Sequence, residues 1–160
     1  MIPETVAYYR AMLLVGIRDK LDEAFDRALE AEEPLSDLIL SLSTCISDDN
    51  AVLSALQEYI INHDVDEQVV YHLIRGDFRQ RFLTEQLTRA EVTDLLYRIV
   101  MGLDRFLQFP WHELTTPEYA LELWQDGFIA EEVFNQCFDA WLFRGENLEP
   151  WKLQAELNKQ

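Results

Sequence analysis

Residues 88–109 read TRAEVTDLLYRIVMGLDRFLQF, and this stretch decides the fold class. Val92, Leu95, Leu96, Ile99, Leu103, Phe106 and Leu107 recur at steps of three and four, the period of one helix face. Tyr97, Val100 and Met101 widen that face, and the polar remainder is a narrow strip of Asp94, Arg98 and Arg105. A helix apolar around most of its circumference is normally buried among others. Thr88 and Glu91 have capping-box spacing at its start. The stretch therefore predicts the central helix of an all-α domain, running from Thr88 to Phe109. Gly102 inside it weakens it slightly or lets a neighbour approach closely.

The same period extends outward in both directions. Upstream, Pro3 opens a helix through Tyr8, Tyr9, Met12 and Leu13 that stops near Gly16. A second helix, about Ile17 to Glu32, has an apolar face of Ile17, Leu21, Ala24, Phe25, Ala28 and Leu29. Pro34 opens a third, Leu35 to about Cys45, and Ser47, Asp48 and Asp49 cap a fourth, Asn50 to about Asn62. A fifth holds Val69, Val70, Leu73 and Ile74 and is closed by Gly76; a short sixth spans Phe78 to about Gln86. Downstream, Phe109-Pro110-Trp111 breaks the chain direction. Thr116-Pro117 begins a helix ending near Gly127, and another spans Phe128 to Phe143, before Gly145. Pro150 starts a last, polar helix that frays from about residue 153. AMLLVGIRDKLDEAFDRAL and LELWQDGFIAEEVFNQCFDAWL share a helix–Gly–helix pattern, but the spacing differs, so it is hairpin economy rather than a repeat array. The prediction is a single all-α domain over residues 1–160, with seven to nine helices in an irregular bundle or short α–α superhelix.

Composition agrees. Apolar residues make up 49% and aromatics 12%, which suits a packed globule. A chain of 160 residues buries roughly 70% of its unfolded surface, enough to fold without a metal or disulfide. Cys45 and Cys137 sit in apolar helical patterns and read as buried free thiols of a reducing cytosol, with a single long-range disulfide as the alternative. MIPETVAYYR lacks the basic start of a signal peptide, and no apolar run reaches bilayer length, so a cytoplasmic location is expected.

The formal charge is −17 and is unevenly spread. Residues 1–74 hold 15 acidic and 4 basic residues; residues 111–160 hold 10 and 3; residues 75–110 hold 5 and 6, all six being Arg. Such a field repels phosphate backbones and anionic membranes, so no nucleic acid and no membrane partner is expected. It attracts a basic protein, although solubility alone also accounts for an acidic surface. Asp19, Asp22, Glu23, Asp26 and Glu30 recur at steps of three and four and form a continuous ridge on the second helix, opposite Leu21, Phe25 and Leu29. The ridge is the candidate partner-binding surface.

Catalytic patterns are weak. His63-Asp64 resembles the paired motif of HD-type metal phosphohydrolases, which need a further upstream His; this chain has only His63, His72 and His112. His63 reads better as a partner of a helix C-terminus. Glu91-x-x-Asp94 with Glu30, Glu32 and Glu33 resembles the acidic motifs of all-α nucleotide pyrophosphohydrolases, but the spacing fails and Glu91 has its capping role. Asp64-Val65-Asp66-Glu67 lacks the Gly and Glu of a calcium loop, holding Val69 and Arg75 there instead. No CxxC pair or Gly-rich phosphate loop occurs. No metal and no cofactor is expected. Arg75, Arg79, Arg81 and Arg89 form a basic zone that would hold an anion or, more commonly, neutralise acidic neighbours in the fold. Of the four Trp, Trp124 and Trp141 fall in helical stripes; Trp111 and Trp151 adjoin prolines, where a Trp either packs or anchors a partner.

The segment LLVGIRDKLDEAFDRALEAEEPLSDLILSL, residues 13–42, resembles the start of small uncharacterised bacterial helical proteins, some of them immunity-protein-like. Those pair a Leu-Leu-x-Gly helix end with an acidic amphipathic helix, a proline and a Leu-Ser run. The resemblance implies an all-helical fold and carries over no catalytic residue. Its sharpest implication is an immunity-type inhibitor of a basic toxin. The expectation is a non-enzymatic, cytoplasmic protein–protein interaction protein. The alternatives are a small enzyme using the arginine zone on an anionic substrate, and a self-associating structural protein.

Overall fold

A computed structural model of the chain describes residues 1–105 and 108–160. Phe106 and Leu107, assigned by periodicity to the central helix, lie outside the described residues. Among the described residues the fold is all-α, with no strand and nine α-helices. These are α1 (Pro3–Leu13), α2 (Asp19–Ala31), α3 (Asp37–Ser43), α4 (Asp49–Ile61), α5 (Glu67–Leu83), α6 (Arg89–Gly102), α7 (Thr116–Gln125), α8 (Glu131–Asp139) and α9 (Pro150–Asn158). A 3₁₀ helix, Trp111–Thr115, leads into α7, and a π-helical turn, Ala140–Arg144, prolongs α8. No helix among the described residues is long and apolar enough to cross a membrane. The chain gathers into two compact units, Met1–Ile74 and Arg75–Gln160, divided within α5.

In the first unit α1 and α3 pack on α4, and α2 packs on α3. Local chemistry starts these helices. Pro3 occupies the first turn of α1, where its missing N–H costs nothing. The Ser36 hydroxyl accepts from the Ile39 amide at 3.3 Å, and Asp48 accepts from the Asn50 and Ala51 amides at 3.1 and 3.3 Å. Val6, Leu21, Ile39, Leu42, Val52 and Leu56 form the core. Leu29, assigned to the buried face of α2, is 41% exposed instead. At 3.6 residues per turn it lies roughly a quarter-turn from the line through Leu21, Phe25 and Ala28.

In the second unit α7 packs on α8 and on α6, the 3₁₀ helix covers α6, and α9 lies against α8. The core mixes aliphatic and aromatic side chains. Trp124 stacks on Phe134 with ring centroids 5.3 Å apart, and Phe138 meets Phe82 edge-on at 5.3 Å. The capping box of α6 is complete: the Glu91 amide donates to the Thr88 hydroxyl at 3.2 Å, and the Thr88 amide to the Glu91 carboxylate at 3.1 Å. Val92, Leu96, Ile99 and Val100 are fully buried, and buried Thr93 donates to the Arg89 carbonyl at 2.8 Å.

Four boundaries depart from the sequence reading. Gly76 does not close a helix; α5 runs through it to Leu83, since one glycine costs a helix only about 1 kcal/mol. The stop comes at Glu85, in the left-handed region at φ 60°, where the Gln86 amide donates back to the Arg81 carbonyl at 2.9 Å. Likewise α6 ends at Gly102, not Phe109. Asp104 is left-handed at φ 55°, and the Arg105 amide closes on the Val100 carbonyl at 3.2 Å. Leu103 is consequently a half-buried cap residue and Met101 is 50% exposed, so α6 is buried on one side rather than surrounded. Finally, α8 begins at Glu131 rather than Phe128, because Gly127 (φ 82°) and the Phe128 amide, bonded to the Leu123 carbonyl at 2.8 Å, are used in closing α7. At the other end α9 is helical to Asn158, beyond the point near residue 153 where fraying is predicted.

Candidate functional site

The five ridge carboxylates stand on α2 away from its buried residues. Asp19, Glu23, Asp26 and Glu30 are exposed and Asp22 is half-buried. The ridge is not uniform. Arg18 donates to Asp22 from Nε at 3.0 Å and Nη2 at 2.9 Å, pairs with Asp49 and donates to the Ile46 carbonyl at 2.6 Å. Asp22 therefore belongs to a network linking α2 to the start of α4. Lys20 lies 3.8 Å from Glu23. Further along, Asp26 and Glu30, one turn apart, have no ion pair among the described residues.

The arginine zone is engaged inside the second unit. Arg75 donates to the Trp141 carbonyl at 2.8 Å and the Leu142 carbonyl at 2.9 Å, satisfying acceptors of the π turn, and lies 5.8 Å from the Trp141 ring centroid. Arg79 stands 5.1 Å over Phe143. Arg81 holds Asp77 at 2.5 Å, with side-chain exposures of 12% and 6%. Arg89 makes a two-pronged pair with Asp139, at 2.9 and 3.0 Å, and stacks 4.9 Å over Phe82. Each of these four cations has an internal partner.

The remaining motif residues have local roles. His63 Nδ1 lies 2.7 Å from the Tyr59 carbonyl at the end of α4, and its ring stacks on Tyr59. Cys45 and Cys137 are free; Cys45 is half-buried rather than buried, and burial with the Glu149 charge pushes the Cys137 thiol up to about 11, which keeps it protonated at neutral pH. Among the described residues no three His, Cys, Asp or Glu side chains converge as a metal-ligand set.

One surface of the second unit was only partly legible. Trp111 is buried, at 4% exposure, whereas Trp151 is 45% exposed. The Trp151 indole N–H donates to the Tyr119 hydroxyl at 2.7 Å, and Phe128 lies 5.9 Å from the Trp151 ring. Tyr119 and Phe128 are themselves 49% and 59% exposed. Tyr119 and Pro150 also line a hollow of about 430 Å³, with Glu149 on its wall and no Lys or Arg. Proline-adjacent Trp151 was a signal in the sequence; Tyr119 and Phe128 carried none. Next to Tyr119, burial and the charges of Glu122 and Asp94 push the Glu118 carboxyl up to about 6.

No family model, curated protein or solved structure matches this chain.

Proposed function

We propose that this protein acts by binding a basic protein through the acidic side of α2, with no chemistry of its own. What supports the reading is the exposed C-terminal half of the ridge: Asp26 and Glu30 are a turn apart, without an ion pair among the described residues, in a unit with 15 acidic and 4 basic residues. Like charges at that spacing cost the helix stability. The potential they maintain speeds encounter with a cationic surface and selects against anionic ones. An immunity-type inhibitor of a basic toxin is the sharpest form of the proposal. The engaged arginines leave the anionic-substrate alternative with less support.

The test is a pull-down from source cells with the native protein and with an Asp26→Asn, Glu30→Gln variant as baits. A basic protein held by the first and lost from the second, with an association rate that falls as salt rises, supports the proposal. Equal retention of that protein by both removes the ridge. Turnover of a small anion removes the binding-protein reading altogether.

A further inference from the structure

We infer that Tyr119, Phe128 and Trp151 form a docking surface in the second unit for an extended, arginine-rich segment of a partner protein. Three aromatic rings from separate places in the chain, the middle of α7, the loop after it and the start of α9, meet at one exposed spot. Exposed large rings in contact with one another are unusual on a soluble surface, and Trp and Tyr are the side chains most enriched where binding energy concentrates. The trio is held in place beforehand. The Tyr119–Trp151 hydrogen bond fixes two rings, and Glu149 accepts the Trp151 amide at 3.3 Å, fixing the start of α9. Binding then loses little side-chain freedom.

Charge selects the occupant. Glu122 lies three residues beyond Tyr119 on α7, Asp126 lies two residues before Phe128, and Glu149 two before Trp151; all three are exposed. The nearest cation in sequence is Lys152. The Glu118 carboxyl on the same helix is raised first by burial and then by the charges of Glu122 and Asp94. An arginine meets both demands: its guanidinium stacks on an aromatic face and pairs with a carboxylate, while its stem covers apolar surface. The adjoining hollow, lined by Pro117, Ala120 and Leu148, takes an apolar neighbour of that arginine. A second copy of this chain would bring these acids against their own equivalents, in a molecule of net charge −17.

The inference rests on a basic partner but not on the α2 ridge, and one titration separates the two. The probe is an acetylated, amidated peptide of four Arg-Leu repeats, followed by amide NMR of the full chain, with a Glu-Leu peptide as control. Saturable shifts centred on Tyr119, Phe128 and Trp151, absent with the control, are the expected result. Phe128→Ala and the double variant Glu122→Gln, Asp126→Asn should each weaken binding about tenfold while helical content is unchanged. Trp151→Ala is avoided as sole evidence because it removes a contact of α9. Shifts confined to Asp19–Ala31 overturn the docking surface and leave the ridge proposal standing. Saturable shifts at the trio with the acidic peptide, no saturable shifts at all, or concentration-dependent self-association through the trio overturn it as well.

Discussion

The two units carry the same number of carboxylates and treat charge in opposite ways. Residues 1–74 hold 15 acidic residues against 4 basic ones; residues 75–160 hold 15 against 9. In the second unit cations are structural. Arg75 serves backbone carbonyls, Arg81 and Arg89 clamp Asp77 and Asp139, and Arg79 and Arg89 lie over rings. In the first unit the Arg18 network does comparable work at one place, while most of the α2 carboxylates face solvent. The difference teaches that charge count says little about role. A half-buried charge in a two-pronged pair is part of the fold, whereas an exposed one without a partner is available to another molecule.

Core packing sets the scale for this comparison. Leu96→Ala should cost about 2–5 kcal/mol, whereas Leu103→Ala, at the half-buried cap of α6, should cost under about 1 kcal/mol. Urea unfolding of the two variants checks the pair; equal losses would mean that α6 continues past Gly102. Next comes the structural charge. Arg81→Met removes the guanidinium that pairs with Asp77, whose side chain is 6% exposed, and should cost about 3 kcal/mol, the low end for breaking a buried pair. A loss below about 0.5 kcal/mol would erase the contrast between the units.

A smaller effect comes from Glu118, whose folded-state pKa is raised from 4.5 to about 6. The folded state then binds the proton more tightly than the unfolded chain. This favours folding fully below pH 4.5, and the advantage is lost as pH rises through about 6. Glu118→Gln should therefore stabilise by about 0.5–1 kcal/mol above that pH, after allowing for partial exposure, and the gain should vanish in acid. Unfolding curves at pH 4 and pH 7.5 read the sign. A gain of the same size at both pH values would separate the effect from titration. The smallest effect belongs to α2. Asp26→Asn with Glu30→Gln should leave stability unchanged or raise it by about 0.2–0.5 kcal/mol by relieving like-charge repulsion. Adding Asp22→Asn should reverse that gain, because it removes the charge from the two-pronged pair with Arg18, which keeps Asp49 and the Ile46 carbonyl. Thermal unfolding of the double and triple variants makes the comparison.

Much of what depends on neighbours in sequence was legible beforehand. The 3.6-residue stripes, Pro3 and Pro150 as helix starts, the Thr88–Glu91 box and the left-handed Gly16, Gly127 and Gly145 all act within a turn or two of backbone. Such short-range terms are carried by residue type alone. Tertiary structure decided the rest. Glu85 and Asp104 end their helices in a conformation that carries a cost for any side chain, while Gly76, the conventional stop, stays helical. Arg75 reaches carbonyls 66 and 67 residues away. Trp111 and Trp151 look alike beside their prolines, yet one is buried and the other joins Tyr119, 32 residues distant. The sequence states which groups want partners; only the folded chain determines which partners come within reach, because that depends on contacts between residues far apart along it.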